Sequence, residues 1–367
     1  MINTIKKKIK EEIIFIISII LAFFSFVLTK NTKYDINFEL IFTLLSLMLI
    51  SLQLEKYNIL DYVAIKIIKK ASSKRSLYFS LIIITALLAM FVTNDVALIT
   101  IVPLTIIISK KANFNPMKII IFETLAANIG SSLTPFGSPQ NLFLYSYYNI
   151  DLISFFKVIF PFFQLGMIFI FIISWRTSKK SLNIEFLKTD SINVKKLILI
   201  SILFLLIVFS IIRIISFIIV SVIIIIYSII FEKELFKKVD YYLLGTFLCF
   251  FIFIDNISNI QSFVTFLNNF LSTDHKIFLS SILLSQIISN VPSAILVSEF
   301  SNSYKYILVG VNIGGMGTMI ASLANLISYR FYAKNYDGKK YRLNFIKYNL
   351  IGLILMTVCF SIFYFYL

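Results

Sequence analysis

The stretch from Ala127 to Leu142 reads A-N-I-G-S-S-L-T-P-F-G-S-P-Q-N-L and lies inside a long apolar region. It holds Asn128, Ser131, Ser132, Thr134, Ser138, Gln140 and Asn141, with Gly130, Gly137, Pro135 and Pro139 among them. Pro removes a backbone donor and clashes with the preceding turn, and Gly adds chain entropy, so an unbroken helix disfavours this mixture. Inside a bilayer an opened backbone is tolerated only where protein or a water-filled cavity satisfies its polar groups. The stretch therefore reads as a helix that enters the membrane, unwinds and starts again, which is how a binding site is built at mid-membrane.

The same writing recurs from Asn312 to Leu326, N-I-G-G-M-G-T-M-I-A-S-L-A-N-L. Without gaps it matches at Asn128/Asn312, Ile129/Ile313, Gly130/Gly314, Thr134/Thr318, Ser138/Ser322, Asn141/Asn325 and Leu142/Leu326, all at one offset. A repeat of about half the chain is the signal expected of a transporter built from two related halves.

Composition sets the class. Of 367 residues, 59% are hydrophobic and 14% charged, and the mean hydropathy is +0.92. That fits an all-α polytopic membrane protein; the apolar runs are too evenly apolar for barrel strands, which should alternate. The first run follows Lys6, Lys7, Lys8 and Lys10 but has no small-residue cleavage site before Lys30, so it reads as a retained span. The net charge of +16 collects in short loops between apolar runs, as the positive-inside rule predicts, and no basic helix or aromatic-basic module points to nucleic acid. Cys249 and Cys359 lie in apolar runs and His275, the one His, sits in a polar loop. No disulfide framework, thiolate metal site or Ser/His dyad is indicated, and no cofactor is expected beyond a coupling ion.

The chain then divides into a first repeat (12–175), a basic loop with a connecting span (176–213) and a second repeat (214–367) within one transmembrane domain. Spans are expected at 12–29 and 38–54, followed by a basic amphipathic segment to Arg75. Residues 76–109 are apolar except for Thr93-Asn94-Asp95 and Pro103. As one helix this would be about 50 Å long, too long for a core of about 30 Å. Folded at its polar centre, it gives two arms of about 20–25 Å, a re-entrant hairpin. Two full spans with a tight turn would give the same loop sidedness, and only tip depth separates the readings. The broken helix is placed at 117–146, and further spans at 154–175, 197–210, 214–230 and 241–254. An outer amphipathic segment then precedes the second hairpin (277–300), whose tip is Ser289-Asn290-Val291-Pro292. The second broken helix is placed at 304–331 and a last span at 344–367. This gives about nine full passes plus two hairpins, with the N-terminus inside and the C-terminus outside. On it 28 of the 34 Lys and Arg residues face the cytoplasm, all but Lys30, Lys33, Lys157, Arg213, Lys276 and Lys305. An odd connecting span turns the second repeat upside down, so charge and repeat support one inverted architecture independently.

With those residues placed, the chain resembles the ion-transporter superfamily, which includes citrate-transporter-like permeases, arsenite permeases, divalent-anion/sodium symporters and a class of sodium/proton antiporters. T-N-D-V-A with Pro103, A-N-I-G-S-S-L-T-P-F-G-S-P-Q-N, S-N-V-P-S and N-I-G-G-M-G-T correspond to that group's hairpin tips and unwound helices. The resemblance implies substrate and coupling-ion binding at Thr93, Asn94, Asn128, Gly130, Thr134, Pro135, Gly137, Asn141, Ser289, Asn290, Asn312, Gly314 and Thr318. It places Na⁺ near Asn94, Asn128, Asn290 and Asn312. The tips read Thr-Asn-Asp and Ser-Asn-Val-Pro where dicarboxylate symporters carry Ser-Asn-Thr, which leans toward the arsenite- or citrate-permease-like branches.

Asn, Ser and Thr side chains with freed carbonyls can replace a cation's water, and helix N-termini favour an anion. Asp95 is the charged residue singled out, since a mid-membrane carboxylate costs roughly 2.5–3.5 kcal/mol on insertion scales and such groups usually serve a pathway. Capping the following helix is its other reading. Glu123, Asp255 and Glu299 are weaker candidates. The function read here is a secondary active transporter in the cytoplasmic membrane, moving a small oxyanion or carboxylate with Na⁺ or H⁺ by alternating access. A Na⁺/H⁺ antiporter is the alternative within transport, and a channel the less favoured one. An enzyme is not expected. The partners are a small solute, the lipid bilayer and, by analogy, a second copy in a homodimer.

Overall fold

The computed structural model describes residues 13–31, 33–69, 71–177 and 193–366. The first residue of the expected leading span, the lysines ahead of it and most of the 176–196 loop lie outside the described residues. The described residues form α-helices and one short 3₁₀ turn, Lys233–Lys238, and contain no strand.

The first half runs α1 (Ile13–Thr29), α2 (Phe38–Lys56), α3 (Ile59–Ile68), α4 (Lys74–Val92), α5 (Asn94–Lys111), α6 (Met117–Ser132), α7 (Pro139–Tyr147) and α8 (Leu152–Trp175). The connector is α9 (Val194–Ile211). The second half runs α10 (Phe217–Phe231), α11 (Tyr241–Ile257), α12 (Gln261–Phe270), α13 (Asp274–Ile288), α14 (Asn290–Glu299), α15 (Tyr304–Gly314), α16 (Leu323–Ala333) and α17 (Gly338–Phe365). The order of the first eight helices repeats in the last eight. Each half has two helices, a short amphipathic one, a hairpin, a broken helix and a closing helix.

The packing repeats as well. Hairpin arm α4 lies along α6 as α13 lies along α15, and α1 packs on α11 as α10 packs on α2. The second arm of each hairpin crosses to the other half, α5 onto α16 and α14 onto α7. The two halves are interlocked rather than side by side, so one cannot keep its buried surface without the other.

Polarity is arranged inside out. Apolar side chains such as Phe24 (65% exposed) and Ile172 (62%) face outward, while Asn94, Asn128, Asn141, Asn290, Asn312 and Asn325 are all buried at the centre. In water that outer surface would be an aggregation hazard; against lipid it is the natural contact.

Two expectations shift in detail. The arms of the first hairpin have 19 and 18 residues, about 28 and 27 Å, and α4 alone is long and apolar enough to cross a membrane. Tip depth therefore decides between hairpin and crossing pair. The last helix starts at Gly338, earlier than expected, because Asp337 caps it by accepting from the N–H groups of Lys339 and Lys340.

Candidate functional site

The chain reverses between α4 and α5 at one residue, Thr93 (φ 78°, ψ 153°), and between α13 and α14 at Ser289 (φ 81°, ψ 156°). This backbone region is normally left to glycine, and holding a branched or substituted residue there costs about 1–3 kcal/mol. Two copies of one strained turn, built from different residues, mark the tips as equivalent. The following residue anchors each tip to the unwound segment of its own half: the Asn94 N–H donates to the Gly137 carbonyl (3.1 Å), and the Asn290 N–H to the Ala321 carbonyl (2.9 Å).

The unwound segments are held by one device used twice. Asn141 donates to the carbonyls of Ser131, Ser132 and Thr134, and Asn325 to those of Gly315 and Thr318, so the freed backbone acceptors are satisfied by side-chain amides. The amides then cross between halves: Asn128 donates to Asn325 Oδ1 (2.9 Å) and Asn312 to Asn141 Oδ1 (2.8 Å). Thr134 donates to the Met90 carbonyl and Thr318 to that of Gln286, tying each break to its own hairpin arm.

Both tips and both restarting helices line one cavity of about 50 Å³. Its polar groups include Asn94, Asp95, Gln140, Asp240, Ser289, Asn290 and Ser322, with Tyr242 and Thr246 from α11. Helices α7, α14, α15 and α16 have 9–11 residues, about 13–16 Å, so none of them alone crosses a core of about 30 Å.

Four helices begin at the cavity: α5, α7, α14 and α16. Their N-cap residues are Thr93, Ser138, Ser289 and Ser322, all types that cap well, yet none caps its own helix with its side chain. Elsewhere Asn37, Ser73, Asp151, Asn193, Thr273 and Asp337 do, as does Asp240 at the cavity itself, whereas Asn58, Ser216 and Ser303 do not. The N–H groups of Asn94, Asp95 and Asn290 are already bonded and Pro139 has none. These starts therefore offer a ligand the remaining first-turn N–H groups and the positive end of the helix dipole. Four such starts face one cavity, beside the carboxyl groups of Asp95 and Asp240 and with no Lys or Arg in its lining.

Of the residues singled out in the sequence, Asn94, Asp95, Ser289 and Asn290 line the cavity. Thr93 is a hinge. Asn128, Asn312 and Asn141 form the network behind it, Thr134 and Thr318 brace the breaks, and Pro135 is buried within the first. Gly137 supplies the carbonyl for Asn94. Gly130 and Gly314 face the hairpin arms: a Cβ on Gly130 would lie 2.5 Å from the Ala86 carbonyl oxygen, and one on Gly314 2.5 Å from Ser285 Oγ.

Ser322, Asn325 and Gln140 went unassigned although the repeat marked the first two. Asp240 had no signal, because it sits among basic residues that read as a loop. It caps α11 through the Leu243 N–H and also reaches the cavity. Asp255 accepts from the Asp35 N–H and Glu299 from the Tyr147 hydroxyl, away from the cavity. Among the described residues no cluster of His, Cys, Asp and Glu could hold a metal ion.

Interlocked inverted halves, paired hairpins and paired broken helices meeting at a polar cavity define a membrane transporter. The citrate transporter family (CitMHS) profile matches residues 4–303, and the chain belongs to that family. It is 35% identical over 318 residues to an uncharacterised transporter of Methanocaldococcus jannaschii, covering 86% of each chain. It is 30% identical over 325 residues to the inner membrane protein YbiR of Escherichia coli, covering 87% of this chain and 86% of that one. The fold is similar to the YdaH transporter of Alcanivorax borkumensis, with a TM-score of 0.56 at 13% identity, over 89% of this chain and 85% of that one.

Proposed function

We propose that the protein is a secondary active transporter that moves a small oxyanion or carboxylate by alternating access, with Na⁺ or H⁺ as coupling ion. The observation that carries this is the convergence of four uncapped helix starts on a cavity between two hairpin tips. The dipoles attract the anion, the Asn94 and Asn290 amides orient it, and the carboxyl of Asp95 carries a proton or sits beside Na⁺. Asn312 Oδ1, buried without a partner, is a further oxygen for Na⁺ near the tips.

On this reading the chain makes nine passes in the cytoplasmic membrane, N-terminus inside and C-terminus outside. The first turns of α1 and α11 border the cavity, which in this topology supports an inward-facing mouth. A homodimer is part of the proposal by analogy alone. One observation favours a second reading, Na⁺/H⁺ antiport: the cavity's two charged residues, Asp95 and Asp240, are both acidic.

A thermal-stability screen of purified protein against oxyanions, di- and tricarboxylates, Na⁺ and Li⁺ tests both. A ligand at 100 times its Kd should stabilise by about 2.7 kcal/mol. Stabilisation by an anion, enhanced by Na⁺ or low pH, supports anion transport; stabilisation by Na⁺ or Li⁺ alone supports antiport. Cysteines in the 110–118 loop should label only from the cytoplasm and cysteines at Asp274 or Ser301 only from outside. Labelling of both from one face would remove the inverted topology.

A further inference from the structure

We infer that Glu123 is a proton-binding site in its own right, set between the first hairpin and the first broken helix and separate from the cavity. Glu123 is completely buried in α6 and is not among the residues that line the cavity. Its Oε1 accepts a hydrogen bond from the hydroxyl of Thr105, itself fully buried in α5, at 2.5 Å. Its Oε2 is buried with no partner at all. The ion pairs among the described residues both belong to Glu232, so no Lys or Arg neutralises Glu123.

The surroundings explain why this matters. Tyr78 from α4 and Tyr341 from α17 are the titratable side chains that bear on it, and the buried Tyr341 hydroxyl lies beside Thr124. The Phe122 ring packs edge-on against Tyr78 and Tyr348, α16 presents Ser328 to Thr124, and α8 meets α6 through Gly166 against Ile129. An ionised carboxylate taken out of water costs several kcal/mol unless paired, and one neutral hydroxyl does not offset that. A hard metal cation would require several more oxygen ligands than Thr105 and Tyr341 provide. A proton on Oε2 removes the charge and needs nothing else.

Other polar side chains lie nearby, toward the Lys110 end of α5. Tyr341 stacks beside Tyr332, whose hydroxyl reaches Asn115 (3.4 Å), while Ser109 meets the Tyr336 hydroxyl (3.4 Å) near Lys110. These groups lie between Tyr341 and the basic end of α5, and among the described residues no hydrogen bond joins Glu123 to them. Because the Thr105–Glu123 bond joins a hairpin arm to the broken helix, the proton's presence is linked to how the hairpin sits. The site stands whichever solute the cavity takes.

Infrared spectroscopy of the purified full chain tests this through the carbonyl stretch of a protonated carboxylic acid. At neutral pH the protein should show such a band, shifted in D₂O, lost in Glu123→Gln and retained in Asp95→Asn. In the wild type it should disappear as one proton is titrated off at alkaline pH, while circular dichroism shows the fold intact. No band lost in Glu123→Gln, or a band that neither exchanges nor titrates, overturns the site in favour of a fixed structural hydrogen bond. Should Glu123→Gln not fold, Thr105→Val carries the test. Loss of the donor should raise the carbonyl frequency and extend the band to higher pH, and an unchanged band and titration would overturn the assignment.

Discussion

The two hairpin tips have the same backbone and different chemistry. Thr93-Asn94 and Ser289-Asn290 share their turn, their following asparagine and their anchor to the unwound segment. Beyond that they diverge: the first tip continues with Asp95, the second with Val291 and Pro292. The first grips the broken helix through its own amide, Asn94 donating to Asn128 Oδ1 (3.2 Å). The second leaves that work to Gln286 in its arm, which donates to the Gly314 carbonyl and accepts from the Thr318 N–H. Symmetry doubles the scaffold, while the tip carboxylate is single. A transporter of this design can bind with both halves and couple through one.

The largest expected effect separates the two glycines. Gly130 faces the backbone of Ala86, which cannot move away, whereas Gly314 faces the Ser285 side chain. Gly130→Leu should abolish folding or transport. Gly130→Ala should lose at least the upper part of the about 1–3 kcal/mol that overpacking costs, and Gly314→Ala less. Ser285→Gly should rescue the latter in thermal unfolding. Equal losses at both positions would show that the arms are held alike.

Next come the tip asparagines. Asn94→Ala and Asn290→Ala should each weaken ligand binding by about 1–3 kcal/mol, roughly 5- to 150-fold. Only Asn94→Ala should also lower the melting temperature, since its amide is committed to Asn128. Wild-type affinity in both variants would sink the two-tip site.

Asp95→Asn sharpens the contrast further. It should lose the response of transport to a pH or Na⁺ gradient in proteoliposomes while retaining ligand binding within a few-fold. A variant that still responds fully would reduce Asp95 to a helix-start residue.

The smallest effect lies at the other side of the scaffold. Burial pushes Glu232 up, but bonds from Lys56, Tyr57 and Lys196 more than reverse this, so its carboxyl sits below the ordinary 4.5. The folded state is therefore favoured above that pH and loses this contribution as the pH falls below it. Glu232→Gln should flatten the acid limb of the stability curve, read by thermal unfolding, and leave the tip variants' differences unchanged.

Much of this was legible in the chain. The Gly, Pro and Asn of 127–142 and their echo at 312–326 announced two broken helices, because those residues are expensive in a membrane helix unless the break is used. Thr93-Asn94-Asp95 and Ser289-Asn290 marked the tips for the same reason, and the basic loops ordered the spans. What the chain could not show was which polar groups meet. Asn141 and Asn325 satisfy opened backbone and receive amides from the opposite half, a pairing between residues 171 and 197 positions apart. Gly130 and Gly314 lie in close approach to the hairpin arms, which the chain alone could not separate from a ligand contact, since a glycine reads alike in both roles. Asp240 entered the cavity from a basic loop, and Ser138, Ser289 and Ser322 proved to be caps that do not cap. Local cost is written in the local sequence, so the breaks could be found there. The identity of each partner depends on how the two halves interlock, and only the tertiary structure decides that.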